Sequence, residues 1–151
     1  MTKDGEVVPV TVEVEVKPGI GIHMIGLADS AVKESLLRVV TALQSQGYSV
    51  PGKKIIINLA PADLRKEGTG YDLPIALGIL VESGQAEFDP GKVIYYGELG
   101  LDGSLRDPGD AKRIWTEIPI DRPFVCKWKY PDLKTTVSGE TLRQGCGRQI
   151  W

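Results

Sequence analysis

Residues 73–81 read "LPIALGILV", a run whose apolar side chains would cover most of the circumference of a helix. The run is only about half of the roughly 20 residues needed to span a bilayer, so such a helix must be buried in protein. Local punctuation fits this reading. Asp72 stands where an N-cap belongs, Pro74 falls in the first turn where its missing N–H costs nothing, and Gly84 follows the last apolar residue.

The segments before it supply covering elements. In "EVVPVTVEVEVKPG" the valines at 8, 10, 12, 14 and 16 fall on one face and Thr11, Glu13, Glu15 and Lys17 on the other, the pattern of a half-buried strand ending at Pro18-Gly19. Ile20, Ile22, Met24 and Leu27 keep the strand period in "GIGIHMIGL", and the glycines at 19 and 21 suit a tight reversal, so the two strands are expected to form a hairpin. The period then changes. Val32, Leu36, Val39, Val40 and Leu43 make the stripe of an amphipathic helix, with Asp29 or Ser30 as N-cap and Gly47 after the last turn. "KKIIINLA" predicts a strand over Lys54 to Leu59, and its continuous isoleucines suggest a central strand covered on both faces. Past the buried helix, "VIYYGEL" predicts another strand, joined through a two-residue type I′ turn at Asp102-Gly103 to a short partner. From Asp107 onward, Pro108, Pro119, Pro123 and Pro131 interrupt a stretch of low apolar periodicity, for which partial order is expected.

Length and charge narrow the classes. A chain of 151 residues, 42% hydrophobic and with a formal net charge of -2, has the size and composition of one soluble globular domain, and its charge implies no polyelectrolyte partner. Cys126 and Cys146 lie far apart behind a start that lacks a signal-peptide pattern, so a disulfide scaffold is not expected and the cytoplasm is the default compartment.

The loop "APADLRKEGTGYD" between strand and buried helix is the place to look for chemistry. A phosphate loop needs a lysine and a hydroxyl after its last glycine, and neither follows Gly70. Thr69 with Lys66 or Lys112 could form a hydroxyl–lysine dyad, and Arg65 could add positive charge. The alternative is a solvated loop of Asp63, Arg65, Lys66 and Glu67, with Thr69 and Asp72 capping the helix. His23 has no Cys or carboxylate at ligand spacing and reads as a surface or turn histidine. Glu13 and Glu15 read as a solvated face. Trp115, Trp128 and Trp151, with nearby Arg and Lys, could stack on single-stranded nucleic acid.

The stretches "GIGIHMIGLADSAVKESLLRVVTAL", "GYSVPGKKIIINLAPADLRKEGTGYDLPIALGILVESGQ" and "YYGELGLDGSLR" resemble the N-terminal domain of the magnesium-chelatase-like AAA+ ATPases, the ComM and YifB group, over roughly residues 6 to 106. The resemblance implies an α/β (α+β) fold, a ribosomal-S5-domain-2-like two-layer sandwich in which a mixed sheet packs with helices, shared with the Lon protease domain. It implies an organisation of 1–106 as the chelatase-like domain and 107–151 as a divergent tail, truncated, frame-shifted or partly ordered. Family members carry an ATPase module with Walker motifs, and ComM-like ones resemble hexameric DNA branch-migration helicases of natural transformation. Neither Walker motif occurs here, so ATP and Mg are expected only for a full-length protein, and no cofactor or metal in this chain.

Against the Lon pattern, the nucleophilic serine position falls on Gly70, and the lysine position near Lys112, where "LRDPGDAKR" departs from the chelatase-like "LRPVKG". The resemblance therefore implies a non-catalytic accessory and interaction domain. Expected partners are an AAA+ ATPase module or neighbouring subunits, with DNA as a further candidate and no membrane. Arg65, Lys66 and Glu67, expected to be exposed, are the candidate partner surface. A Lon-like peptidase using Thr69 and a nucleic-acid-binding module are the alternatives.

Overall fold

The computed structural model describes residues 2–3, 6–87, 93–117 and 124–125. Its centre is a three-stranded mixed sheet of β3 (Thr11–Lys17), β4 (Ile22–Ile25) and β5 (Lys54–Ala60), covered by α1 (Ser30–Ser45) and α2 (Asp72–Glu82). Before it, β1 (Thr2–Lys3) pairs antiparallel with β2 (Glu6–Val7). After it come β6 (Ile94–Tyr95), β7 (Glu98–Leu99), β8 (Leu105–Arg106), α3 (Ala111–Glu117) and β9 (Phe124–Val125), with β6 parallel to β9 and β7 antiparallel to β8. A mixed sheet packed against helices is the expected α+β class. No described helix is long and apolar enough to cross a membrane. The boundary expected after residue 106 falls between β8 and the turn into α3; Cys126, Trp128, Cys146 and Trp151 lie outside the described residues.

The expected hairpin is split. β5 lies between β3 and β4, antiparallel to the first and parallel to the second, in the order β3-β5-β4. The link Pro18–Gly21 has to cross two strand spacings, about 10 Å, which four residues at ~3.3 Å each can reach. Gly19 and Gly21, at φ of 131° and 90°, let it arch over the end of β5, where Gly21 O accepts from Ile55 N at 2.9 Å. The physical reason is burial: the most apolar strand takes the middle, flanked on the core face by Val12, Val14 and Val16 on one side and Ile22 and Met24 on the other. Ile55, Ile57 and Leu59 are fully buried, but Ile56 and Asn58 on the opposite face are only half-buried, so β5 is central without being covered on both faces.

Helix α1 follows its stripe, with Val32, Val39, Ala42 and Leu43 buried, Asp29 Oδ1 accepting from Val32 N at 2.8 Å as N-cap, and Gly47 at φ 84° after the last turn. Helix α2 is buried at Leu73, Ile75, Ala76, Leu77, Ile79 and Leu80. Gly78 lets it press onto β3, because a Cβ there would stand 2.5 Å from Val14 Cγ2.

Two local expectations fail in the segment after α2. "VIYYGEL" is broken into β6 and β7 because Gly97 turns to serve the start of α2: its N–H donates to Gly70 O at 3.0 Å and its carbonyl accepts from Leu73 N at 3.1 Å. The β7–β8 connection is a three-residue loop, Leu101 to Gly103, closed by Gly100 N donating to Ser104 O at 2.8 Å. Among its residues only Gly103 has positive φ, at 82°, which is the type I turn plus bulge and excludes type I′, where Asp102 would need positive φ as well.

Candidate functional site

The segment from Pro61 to Tyr71 leaves the C-terminal end of β5, passes beside the start of α1 and delivers the chain into α2. It is tied down twice. In its middle, Lys66 N donates to Leu27 O at 3.0 Å and Asp29 N donates to Lys66 O at 3.1 Å, a short parallel bridge that fixes the loop against the entry to α1. At its end, the backbone bonds of Gly97 hold Gly70 and Leu73.

Side chains near these ties are sorted by burial. Arg65 and Glu67 point to solvent, 72% and 64% exposed, and pair with each other at 3.2 Å. Lys66 between them does not: its side chain is shut off from water, and Nζ donates to the carbonyl of Pro61. The candidate partner surface is therefore corrected to Arg65 and Glu67. In an extended bridge neighbouring side chains alternate, so turning Arg65 and Glu67 outward turns Lys66 in. The cover over Lys66 is thin, a shell of loop atoms instead of the deep core, but it removes water from the ammonium and pushes its pKa below the ordinary value, opposed by the charge of Asp63.

Asp72 is the second buried charge, and here the expected cap is also corrected. The residue is the first of α2, preceded by Tyr71 with no side-chain cap, and its carboxylate accepts from Arg38 Nε at 2.7 Å, Arg38 Nη2 at 3.1 Å and Leu99 N at 3.0 Å. One carboxylate thus joins α1, α2 and β7. Burial pushes the Asp72 pKa up, against the pull of Arg38 and the Leu99 N–H, while Asp72 raises that of Arg38. The cap role passes to the backbone, with Gly97 O taking the Leu73 N–H and Thr69 O accepting from Asp72 N at 3.4 Å.

The arrangement is unsuited to the hydroxyl–lysine dyad. A Cβ at Gly70 would stand 1.9 Å from Cε2 of Tyr96, so the ring occupies the space a serine would need. That tyrosine is held by its hydroxyl, which donates to Asp110, and burial with this bond drives its pKa up; Tyr71 beside it is shifted the same way by burial. Thr69 is half-buried, Lys112 is exposed on α3, and among the described residues no hydrogen bond joins Thr69 to Lys66 or Lys112.

Other candidates fall on the surface. His23 is exposed on β4, Glu13 accepts from Asn58 Nδ2 at 2.6 Å, and Glu15 pairs with Lys17 at 3.0 Å. Trp115 is half-buried against Ile114. No group of three or more His, Cys, Asp or Glu among the described residues could hold a metal ion. What the sequence did not reveal was the Asp72–Arg38 clamp. Its one trace is that Arg38 lies between Ser35 and Ala42, small residues beside the apolar stripe that are both buried.

Residues 12–118 match the family described as "Subunit ChlI of Mg-chelatase", a match that runs on through α3. The chain is similar to the uncharacterized protein YifB of Escherichia coli, 42% identical over 137 residues covering 87% of this chain and 27% of that protein. YifB of Salmonella typhimurium is 47% identical over 113 residues, 72% of this chain and 22% of that one. Competence protein ComM of Haemophilus influenzae is 46% identical over 99 residues, 64% of this chain and 19% of that one. The chain thus corresponds to about a quarter or less of the length of the relatives it matches.

Proposed function

The chain belongs to the magnesium-chelatase-like family of subunit ChlI, YifB and ComM, and from that membership we propose that it is a non-catalytic accessory domain whose work is protein docking. The observation that carries this reading is the loop before α2. Backbone bonds and two buried charges spend many of its polar groups on structure, Gly70 under Tyr96 leaves no room for a nucleophile, and the charged side chains left outward are Asp63, Arg65 and Glu67, the last two paired with each other. Its partner is an AAA+ ATPase module or a neighbouring subunit, and ATP and Mg are the business of that module. The competence name of the Haemophilus relative supports a whole protein that serves natural transformation, and the branch-migration helicase role implied by the family resemblance is the activity proposed for it.

The test is direct binding. The 151-residue chain is titrated against the ATPase portion of a longer family member, with ATP hydrolysis recorded alongside. Binding that weakens in Arg65→Glu supports docking through this loop. No binding, or cleavage of unfolded casein abolished by Thr69→Ala, overturns the reading.

A further inference from the structure

The described residues pack as two hydrophobic clusters of very unequal size. The larger joins β3, β4 and β5 to α1 and α2, whereas the smaller buries only Ile114 of α3, with Val7, Ile94, Tyr96 and Trp115 half-buried around it. A seven-residue helix held by so small a cluster belongs to the part of a fold that opens at low cost.

Tyr96 stands at the boundary between the two. Its ring belongs to the smaller cluster and covers Gly70, and its hydroxyl donates to Asp110, whose backbone carbonyl accepts from Ile114 N at 3.0 Å as α3 begins. Gly97, next in the chain, bonds Gly70 O and Leu73 N at the entry to α2. The loop beneath this dipeptide is anchored at its ends and not in its middle. Lys66 is bridged to Leu27 and Asp29, and Asp72 is clamped by Arg38 and Leu99 N. Between those anchors run Gly68, Thr69 and Gly70. Gly68 sits at φ 86° with nothing within 4 Å of where a Cβ would stand, and Gly70 is buried under a ring supplied by another segment.

We infer that α3 is a detachable strap on this loop. Seated, it pins Tyr96 over Gly70 and orders the entry to α2; lifted, it lets the ring and Gly97 move and residues 68–70 loosen, while the anchors at Lys66 and Asp72 hold. Opening gives up the Ile114 cluster and the Tyr96–Asp110 bond but leaves the larger cluster intact, so the two states differ in one region only. None of this needs the docking role proposed for Arg65 and Glu67.

Amide hydrogen exchange of the 151-residue chain, read residue by residue by NMR, tests the coupling. Tyr96→Phe keeps the ring and removes its bond to Asp110, and Ile114→Ala weakens the seat of α3 from the side away from the loop. In each variant exchange at Ile114 N should quicken about fivefold or more, the effect of losing roughly one hydrogen bond or a comparable apolar contact. Gly97 N and Leu73 N should quicken with it, while Ile57 N in β5 keeps its wild-type rate. Faster exchange at Ile114 with Gly97 and Leu73 unchanged would overturn the inference, because α3 would then open without the loop. Equal acceleration at Ile57 would overturn it as well, since the helix would then open only with the whole fold. So would an unchanged rate at Ile114 in both variants. Should Ile114→Ala fail to fold, Tyr96→Phe decides alone.

Discussion

Asp72 and Lys66 are both shut off from solvent within one short segment, yet they are provided for in different ways. Asp72 has a cationic partner in Arg38, two bonds from that guanidinium and a third from Leu99 N, so its charge is matched on three sides. Lys66 has a carbonyl acceptor and only the more distant charge of Asp63. Burial works against the charged form of each, raising the acid and lowering the base. The difference teaches where the structure depends on a charge and where it only tolerates one. Removing a matched charge strands its partner, whereas a thinly covered amine can lose its proton and stay in place.

The sharpest way to break this contrast is Asp72→Asn. It leaves Arg38 facing an uncharged amide next to the core, and the expected loss is about 3–5 kcal/mol of unfolding free energy, read by urea denaturation. A loss below about 1 kcal/mol would mean that the clamp contributes little. Next is Gly70→Ser, which puts back the hydroxyl that the Lon pattern has at this position. The clash with Tyr96 predicts about 1–3 kcal/mol of destabilisation from overpacking. Gain of casein cleavage in this variant would show that the missing nucleophile, and not the packing of the loop, is what separates the fold from a protease.

Lys66→Met probes the tolerated charge through pH. With the folded pKa below the ordinary 10.5, the unfolded chain holds more protons between those two values, so stability of the wild type rises with pH across that window and levels off above 10.5. The methionine variant lacks this rise, and the difference in unfolding free energy between the two should shift in favour of the wild type as pH increases from 7 to 11. A difference that does not change with pH would mean that Lys66 is not desolvated. The smallest effect belongs to the outward pair: Arg65→Ala or Glu67→Ala should change stability by less than about 1 kcal/mol, because an exposed ion pair is screened and gains little.

How much of this was legible differed by element. Helix α1 could be read to its cap and its closing glycine because the apolar stripe, Asp29 and Gly47 are signals within one segment. The burial of α2 was equally clear, since no arrangement of that run keeps its apolar side chains from water except a core. Arg65, Lys66 and Glu67 look alike as a charged string, and no local rule says that the middle one turns in; that follows from the bridge to Leu27 and Asp29, residues nearly forty positions away. The hairpin was misread for a related reason. The alternation of β3 and β4 defines which face is buried but is indifferent to which neighbour lies beside each strand, and β5, arriving from later in the chain, had the stronger claim to the centre.

By itself, then, the sequence determined both main helices, the buried face of β3 and the family, because periodicity, caps and local residue identity are properties of contiguous stretches. Only the tertiary structure decided the order of the strands, the inward turn of Lys66 and the conversion of Asp72 from a cap to a clamp on Arg38, 34 positions away. Pairing and burial of charge are set by whatever the fold brings alongside, and desolvation makes those neighbours decisive.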